Sequence, residues 1–229
     1  MYGIQTSKVI GILGGLVLAM AAWSSRAADT TEQQALIDES RITLQRFLAD
    51  PEMTWLHRHI KESRGLLIIP SLLKAGFVIG GSGGSGVLLI RDKRTGKWSQ
   101  PAFYTMGAGS IGLQAGASAA EVVLMVRTDK GVDALLSTKF ELGAEASVAA
   151  GPVGAGAKVA TADVLSFARS KGAFLGASFE GAVIKPRDKW NRIYYGKPVS
   201  PSDILVRGLV SNPNTSKLRA EVTRAAQGR

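Results

Sequence analysis

The stretch FELGAEASVAAGPVGAGAKVATADVLSFARSKGAFLGASFEGAVIKPRDKWNRIYYG, Phe140 to Gly196, decides how the chain is read. Short apolar runs alternate with small residues, and glycine recurs at Gly143, Gly151, Gly154, Gly156, Gly172, Gly176 and Gly181. Apolar side chains alternate at Leu165 and Phe167 and again at Phe174, Ala177 and Phe179, with β-branched Val183 and Ile184 following. This pattern predicts successive strands joined by tight turns, with glycine where φ must be positive or a backbone must come close. It holds no catalytic constellation.

Working outward, the N-terminal side begins with helices. Asp29-Thr30-Thr31-Glu32-Gln33 offers two overlapping capping-box frames, Asp29 with Glu32 and Thr30 with Gln33, ahead of a helix to about Leu48. Its apolar positions, Leu36, Ile37, Leu44, Phe47 and Leu48, fall near helical spacing. Asp50-Pro51 ends it, and Pro51 opens a second helix with a Met53, Leu56, Ile60 stripe that Gly65 stops. Such a pair could touch a membrane, but the stripe is the ordinary width of a core-facing helix.

Strands are then predicted at Leu66–Pro70, Phe77–Ile79, Val87–Ile90, Trp98–Tyr104 and Ala120–Val126. Gly81, Gly83 and Gly86 match the G-x-G-x-x-G spacing, yet a nucleotide loop needs a helix after its glycines, and here Val87-Leu88-Leu89-Ile90 follows. A glycine-rich hairpin or a close backbone approach is the better reading. Short helices are expected at Val132–Leu136 and Ile204–Leu209, and a last basic one at Ser216–Gln227. The fold class is therefore α+β: a glycine-rich, mainly antiparallel β-sheet, as a sandwich or partial barrel, with N- and C-terminal helices.

Several blocks in order carry a family resemblance. GGSGGSGVLLIRD (Gly80–Asp92), WSQPAFYTMGAGSIGLQAGASAAEVVLMV (Trp98–Val126), ELGAEASVAAGPVG (Glu141–Gly154), SFARSKGAFLGASFEGAVI (Ser166–Ile184) and NRIYYG (Asn191–Gly196) resemble the SYLF domain. The resemblance covers roughly residues 30 to 227. It implies lipid binding, and in some eukaryotic members an action on actin.

Residues 1–27 read as a signal peptide, with Lys8, the 15-residue apolar run Val9–Trp23, and small residues at Ser25 and Ala27 placing cleavage after Ala27. That run is short of the roughly 20 apolar residues of a spanning anchor. Residues 28–64 then form a helical segment and 65–229 the SYLF-like β-rich part with its C-terminal helices, so that 28–229 is one structural unit. In a bacterium the address is the periplasm or the envelope. Export argues against eukaryotic actin as a partner, secretion into a host apart.

The formal net charge is +10, which favours an anionic partner, and cleavage would remove two of 28 basic residues and none of 18 acidic ones. Two basic runs stand out. Arg91, Lys93, Arg94 and Lys97, followed by Trp98, form a charged turn that could meet phosphates or simply be solvated. Lys185, Arg187, Lys189 and Arg192 are interleaved with Trp190, Tyr194 and Tyr195. This run could stack single-stranded nucleic acid, meet an anionic bilayer, or lend its aromatics to the core. An exported chain meets lipid before nucleic acid, so an anionic phospholipid surface is the expected partner and nucleic acid is not. An envelope protein partner is the alternative.

Catalytic chemistry finds little support. The chain has no cysteine, and His57 and His59 lack the i, i+4 spacing of a helical metal pair. Ser170 and Lys171 are adjacent and on a strand would face opposite sides. No enzyme activity, metal site or cofactor is expected.

Overall fold

The computed structural model describes residues 31–76, 79–111, 116–151, 161–170, 173–175 and 179–228. The signal-peptide reading of 1–27 and the capping frames at Asp29 and Thr30 lie outside them. So do Phe77, Lys171 and the glycines at 154, 156, 172 and 176.

One helix, α1, spans 31–49 and buries Gln33, Leu36, Ile37, Ser40, Thr43, Leu44 and Phe47 along one face. Pro51 then opens a broken helical segment rather than one continuous helix: a 3-10 turn Pro51–Met53, α2 Thr54–His59 and a second 3-10 turn Ile60–Glu62. Asp50 caps its start by accepting a 3.0 Å bond from the Glu52 amide. Met53, Leu56 and Ile60 are buried, as their stripe demands.

Among the described residues, nine strands make one curled, half-barrel sheet: β1 Gly65–Gly76, β2 Ile79–Ile90, β3 Ala102–Ile111, β4 Gly116–Val126, β5 Phe140–Glu141, β6 Val148–Ala150, β7 Val164–Ser170, β8 Ala173–Leu175 and β9 Val183–Pro186. The order is β5-β9-β3-β2-β1-β4-β7-β6, with β8 also on β7. Every pairing is antiparallel except β6 with β7. The sheet is thus a partial barrel and not a sandwich. Helices α3 Asp129–Leu135, α4 Asp188–Tyr195, α5 Pro201–Leu205 and α6 Ser216–Ala226 complete the fold.

The continuous apolar runs follow from burial on both faces of the sheet. Leu67, Ile69, Leu88, Ile90, Val122, Leu124 and Val126 pack with Val132 and Leu135 of α3, Phe140, Ile204 and Leu205. Their strand neighbours Leu66, Ile68, Val87, Leu89, Val123 and Met125 pack on the other face with α1, Phe103, Tyr194 and the α6 residues Leu218 and Val222.

The four central strands are all longer than their apolar runs, and β1 and β2 show why. β1 continues past Pro70 because the register with both neighbours shifts between Ile68 and Leu72, a bulge that accommodates a residue without an N–H. β2 starts at Ile79 and includes the whole glycine run. Opposite the bulge, a Cβ on Gly86 would lie 2.3 Å from the Ile68 carbonyl oxygen, and one on Gly84 2.5 Å from that of Ser71. The glycine spacing therefore answers a close backbone approach.

Candidate anionic-surface site

The first basic run forms the β2–β3 connection. Asp92 shapes it, its carboxylate accepting from the Thr95 amide at 2.6 Å and the Thr95 hydroxyl at 2.8 Å while Gly96 turns at φ +68°. Those Thr95 bonds hold the Asp92 carboxyl below the usual carboxylate range.

Within this turn the four cations have different fates. Arg91 is spent on structure, donating Nε to the Gly96 carbonyl at 3.1 Å and Nη1 to the Lys61 carbonyl at 2.8 Å. Lys93 pairs with Asp129, whose other oxygen lies 3.2 Å from Nε of Arg64. The Lys93 hydrogen bond is the main cause holding the Asp129 carboxyl below its ordinary range. Arg94 and Lys97 are exposed and, among the described residues, have no ion-pair partner. Trp98 is only 3% exposed and belongs to the core, so it has no ring to offer at head-group depth. Its carbonyl accepts from Nη2 of Arg219 on α6 at 2.9 Å.

The second run is β9 and α4. Pro186 lies opposite Tyr104, and the Arg187 amide donates to the Phe103 carbonyl at 2.8 Å. This places α4 near the end of the sheet from which the first run emerges. Arg187 folds back over the Trp190 ring, 3.4 Å from its centroid, and donates to the Ser85 hydroxyl at 2.6 Å. Burial presses its pKa downward, the Glu32 charge opposing.

Trp190 packs edge-on against Phe103, and the Tyr194 and Tyr195 hydroxyls donate to Gln34 at 2.8 Å and to the Pro101 carbonyl at 2.6 Å. The aromatics thus complete the core, one of the three readings open from sequence. Lys185, Lys189 and Arg192 point to solvent and, among the described residues, carry no ion pair. Asn191, fully buried, was missed: its side-chain oxygen accepts from the Phe103 amide at 2.8 Å and pins α4 to β3.

Also unforeseen is a cleft of about 650 Å3 beneath the β2–β3 turn, lined by that turn, by Arg64, by α3, by residues 204–206, 208, 210 and 211, and by Arg219. Its walls come from five separated segments, so no local sequence signal could have announced it.

The histidines are held by backbone. His57 Nε2 lies 3.0 Å from the Phe47 carbonyl, and His59 Nδ1 2.9 Å from that of Trp55 while its ring stacks on the indole. Ser170 donates to the Ala119 carbonyl at 3.0 Å. Among the described residues no three His, Cys, Asp or Glu converge as a metal site, and no helix is long and apolar enough to cross a membrane.

Comparison with known proteins gives the family. A family model described as Ysc84, Las17-binding protein actin regulator, matches residues 107–225, just over half of the chain. LAS seventeen-binding protein 3 of Saccharomyces cerevisiae is 36% identical over 154 residues, 64% of this chain and 33% of the relative. Protein YSC84 of the same yeast is 34% identical over 162 residues, 67% of this chain and 34% of the relative. SH3 domain-containing YSC84-like protein 1 of Homo sapiens is 32% identical over 152 residues, 64% and 44% respectively. The chain accordingly spans a third to less than half of the length of these curated relatives. By the blocks along its sheet and the match across 107–225, the chain belongs to the Ysc84, or SYLF-domain, family.

Proposed function

We propose that this protein is a non-enzymatic binding protein, exported through residues 1–27 to the periplasm or envelope, that attaches reversibly to anionic phospholipid head groups. The observation that carries this reading is the set of five exposed cations, Arg94, Lys97, Lys185, Lys189 and Arg192, that have no ion-pair partner among the described residues and lie on two runs near one end of the sheet. Each basic residue near an anionic surface contributes on the order of 1 kcal/mol, so five suffice for reversible attachment at moderate salt. Arg91, Lys93 and Arg187, already bonded within the protein, hold the two runs in shape.

The test is co-sedimentation of residues 28–229 with neutral and anionic vesicles across a salt series. Binding should require anionic lipid and weaken as salt rises. Changing Arg94, Lys97, Lys185 and Lys189 together to Glu should abolish it, and undiminished binding of that variant would refute the electrostatic account. A second reading, a protein partner, is favoured by the description of the family as Las17-binding and by the name of one yeast relative, LAS seventeen-binding protein 3. It predicts a partner recovered by crosslinking and no dependence on lipid charge.

A further inference from the structure

Four large apolar side chains stand out as exposed among the described residues: Ile42, Leu73, Val206 and Leu209. Two of them, Val206 at 57% and Leu209 at 49% exposure, share one four-residue turn, and Val206 lines the cleft beneath the β2–β3 connection. Their neighbours Ile204, Leu205 and Val210 are buried, so the stretch supplies its core quota and still presents two apolar tips.

The turn is held in place by hydrogen bonds. The amides of Val206 and Arg207 donate to the Ser202 carbonyl at 3.0 and 2.9 Å, and that of Leu209 to the Asp203 carbonyl at 2.9 Å. Gly208 supplies φ +62°, and Lys197 Nζ donates to the Leu209 carbonyl at 3.0 Å. A fixed turn displays its tips without an ordering cost at the moment of contact.

The cleft beside it is cationic, with five basic side chains against three carboxylates in its lining. Asp129 is satisfied by Arg64 and Lys93, and Asp92 by Thr95. Lys97 and the exposed third carboxylate, Asp133, have no ion-pair partner among the described residues, and Arg219 donates Nη2 to the Trp98 carbonyl at the cleft wall. An excess of positive charge next to solvent-facing apolar tips matches the layered chemistry of a bilayer interface, phosphates outside and acyl chains within.

From this juxtaposition we infer that the Val206–Leu209 turn is a membrane-inserting tip, which seats the cleft, with Lys97 and Arg219, over the phosphates of anionic lipids. The inference rests on the anionic-surface reading and adds an apolar component to it. That component is salt-resistant, unlike the charge attraction.

The chain has no cysteine, so Val206→Cys gives a single site for an environment-sensitive nitrobenzoxadiazole label. Leu73→Cys is the companion, exposed on β1 roughly 25 Å along the strand from Gly65. With phosphatidylcholine vesicles containing phosphatidylserine, the label at 206 should shift to the blue and brighten, and the label at 73 should not. Protein that sediments with the 206 label still in water overturns the insertion and leaves the anionic-surface reading standing; failure to sediment overturns both. Independently, changing Val206 and Leu209 together to Asp should weaken vesicle partitioning roughly tenfold at high salt. Unchanged partitioning would contradict the proposal, as would loss of a soluble protein partner in place of vesicles.

Discussion

Along the four central strands, β3-β2-β1-β4, the two ends share one hydrogen-bond ladder and almost nothing else. At the covered end, Leu66–Ile69, Val87–Ile90, Ala102–Tyr104 and Val122–Val126 are buried, with helices and loops packed on both faces. At the other end, Ser71, Leu73, Lys74, Ala75, Gly81, Gly83, Gly109, Ser118 and Ala119 are exposed. Where two layers cover a strand, every side chain can be large and apolar. Where little covers it, the sequence turns to glycine, serine and alanine, which pair backbone without presenting apolar surface. Folding free energy is therefore concentrated at one end, and that end also carries both basic runs and the cleft.

The contrast breaks most severely at Gly86. A valine there would place Cβ 2.3 Å from the Ile68 carbonyl oxygen and 2.7 Å from Ile69 Cγ1. Gly86→Val should cost more than about 4 kcal/mol and abolish cooperative unfolding in a denaturant titration. Phe103→Ala removes a fully buried ring that meets Trp190 and Tyr194, and should lower stability by about 3–5 kcal/mol in the same titration.

A smaller loss is expected at Asp163, next to β7. Its carboxylate accepts from the Thr128 hydroxyl at 2.6 Å and from the amide and hydroxyl of Ser147 at 2.9 Å each. Burial works to raise its pKa, but these bonds and Lys130 together outweigh it and leave the group below the ordinary carboxylate range. Asp163→Ala should cost about 1–3 kcal/mol at neutral pH. Because the folded pKa is depressed, that contribution is present above the unfolded value of about 4 and fades as pH falls through the folded one. Thermal melts of variant and parent should converge in acid. At the exposed end, Gly83→Ala, whose Cβ would meet nothing nearer than the Met106 carbonyl oxygen at 4.0 Å, and Leu73→Ser should each stay within about 0.5 kcal/mol. A large effect there would dissolve the distinction between the ends.

What the sequence disclosed follows the same division. Apolar runs, helical stripes and the α+β class were legible because burial on both faces leaves a dense local pattern, as in Val122–Val126. The extension of β1 beyond Pro70 was not, because a bulge is set by two neighbouring strands. Nor was β2 across its glycines, whose strand state is imposed by β1 and β3 and not by propensity. At the site, the charged turns were visible but the division of labour within them was not. Arg91, paired with Trp98 at the end of β2, reaches the Lys61 and Gly96 carbonyls while Arg94 stays exposed in the turn, and Trp98 is buried by a cluster that includes Leu218 and Val222 from the last helix.

Amide hydrogen exchange, with and without anionic vesicles, tests the central claim most directly. Without lipid, the amides of Leu66–Ile69 and Val122–Val126 should exchange slowest and those of Gly80–Gly84 markedly faster. Added vesicles should protect residues 91–97, 185–192 and 206–209 and leave Gly80–Gly84 unchanged. Protection confined to the glycine-rich end, with the two basic runs unaffected, would contradict the account.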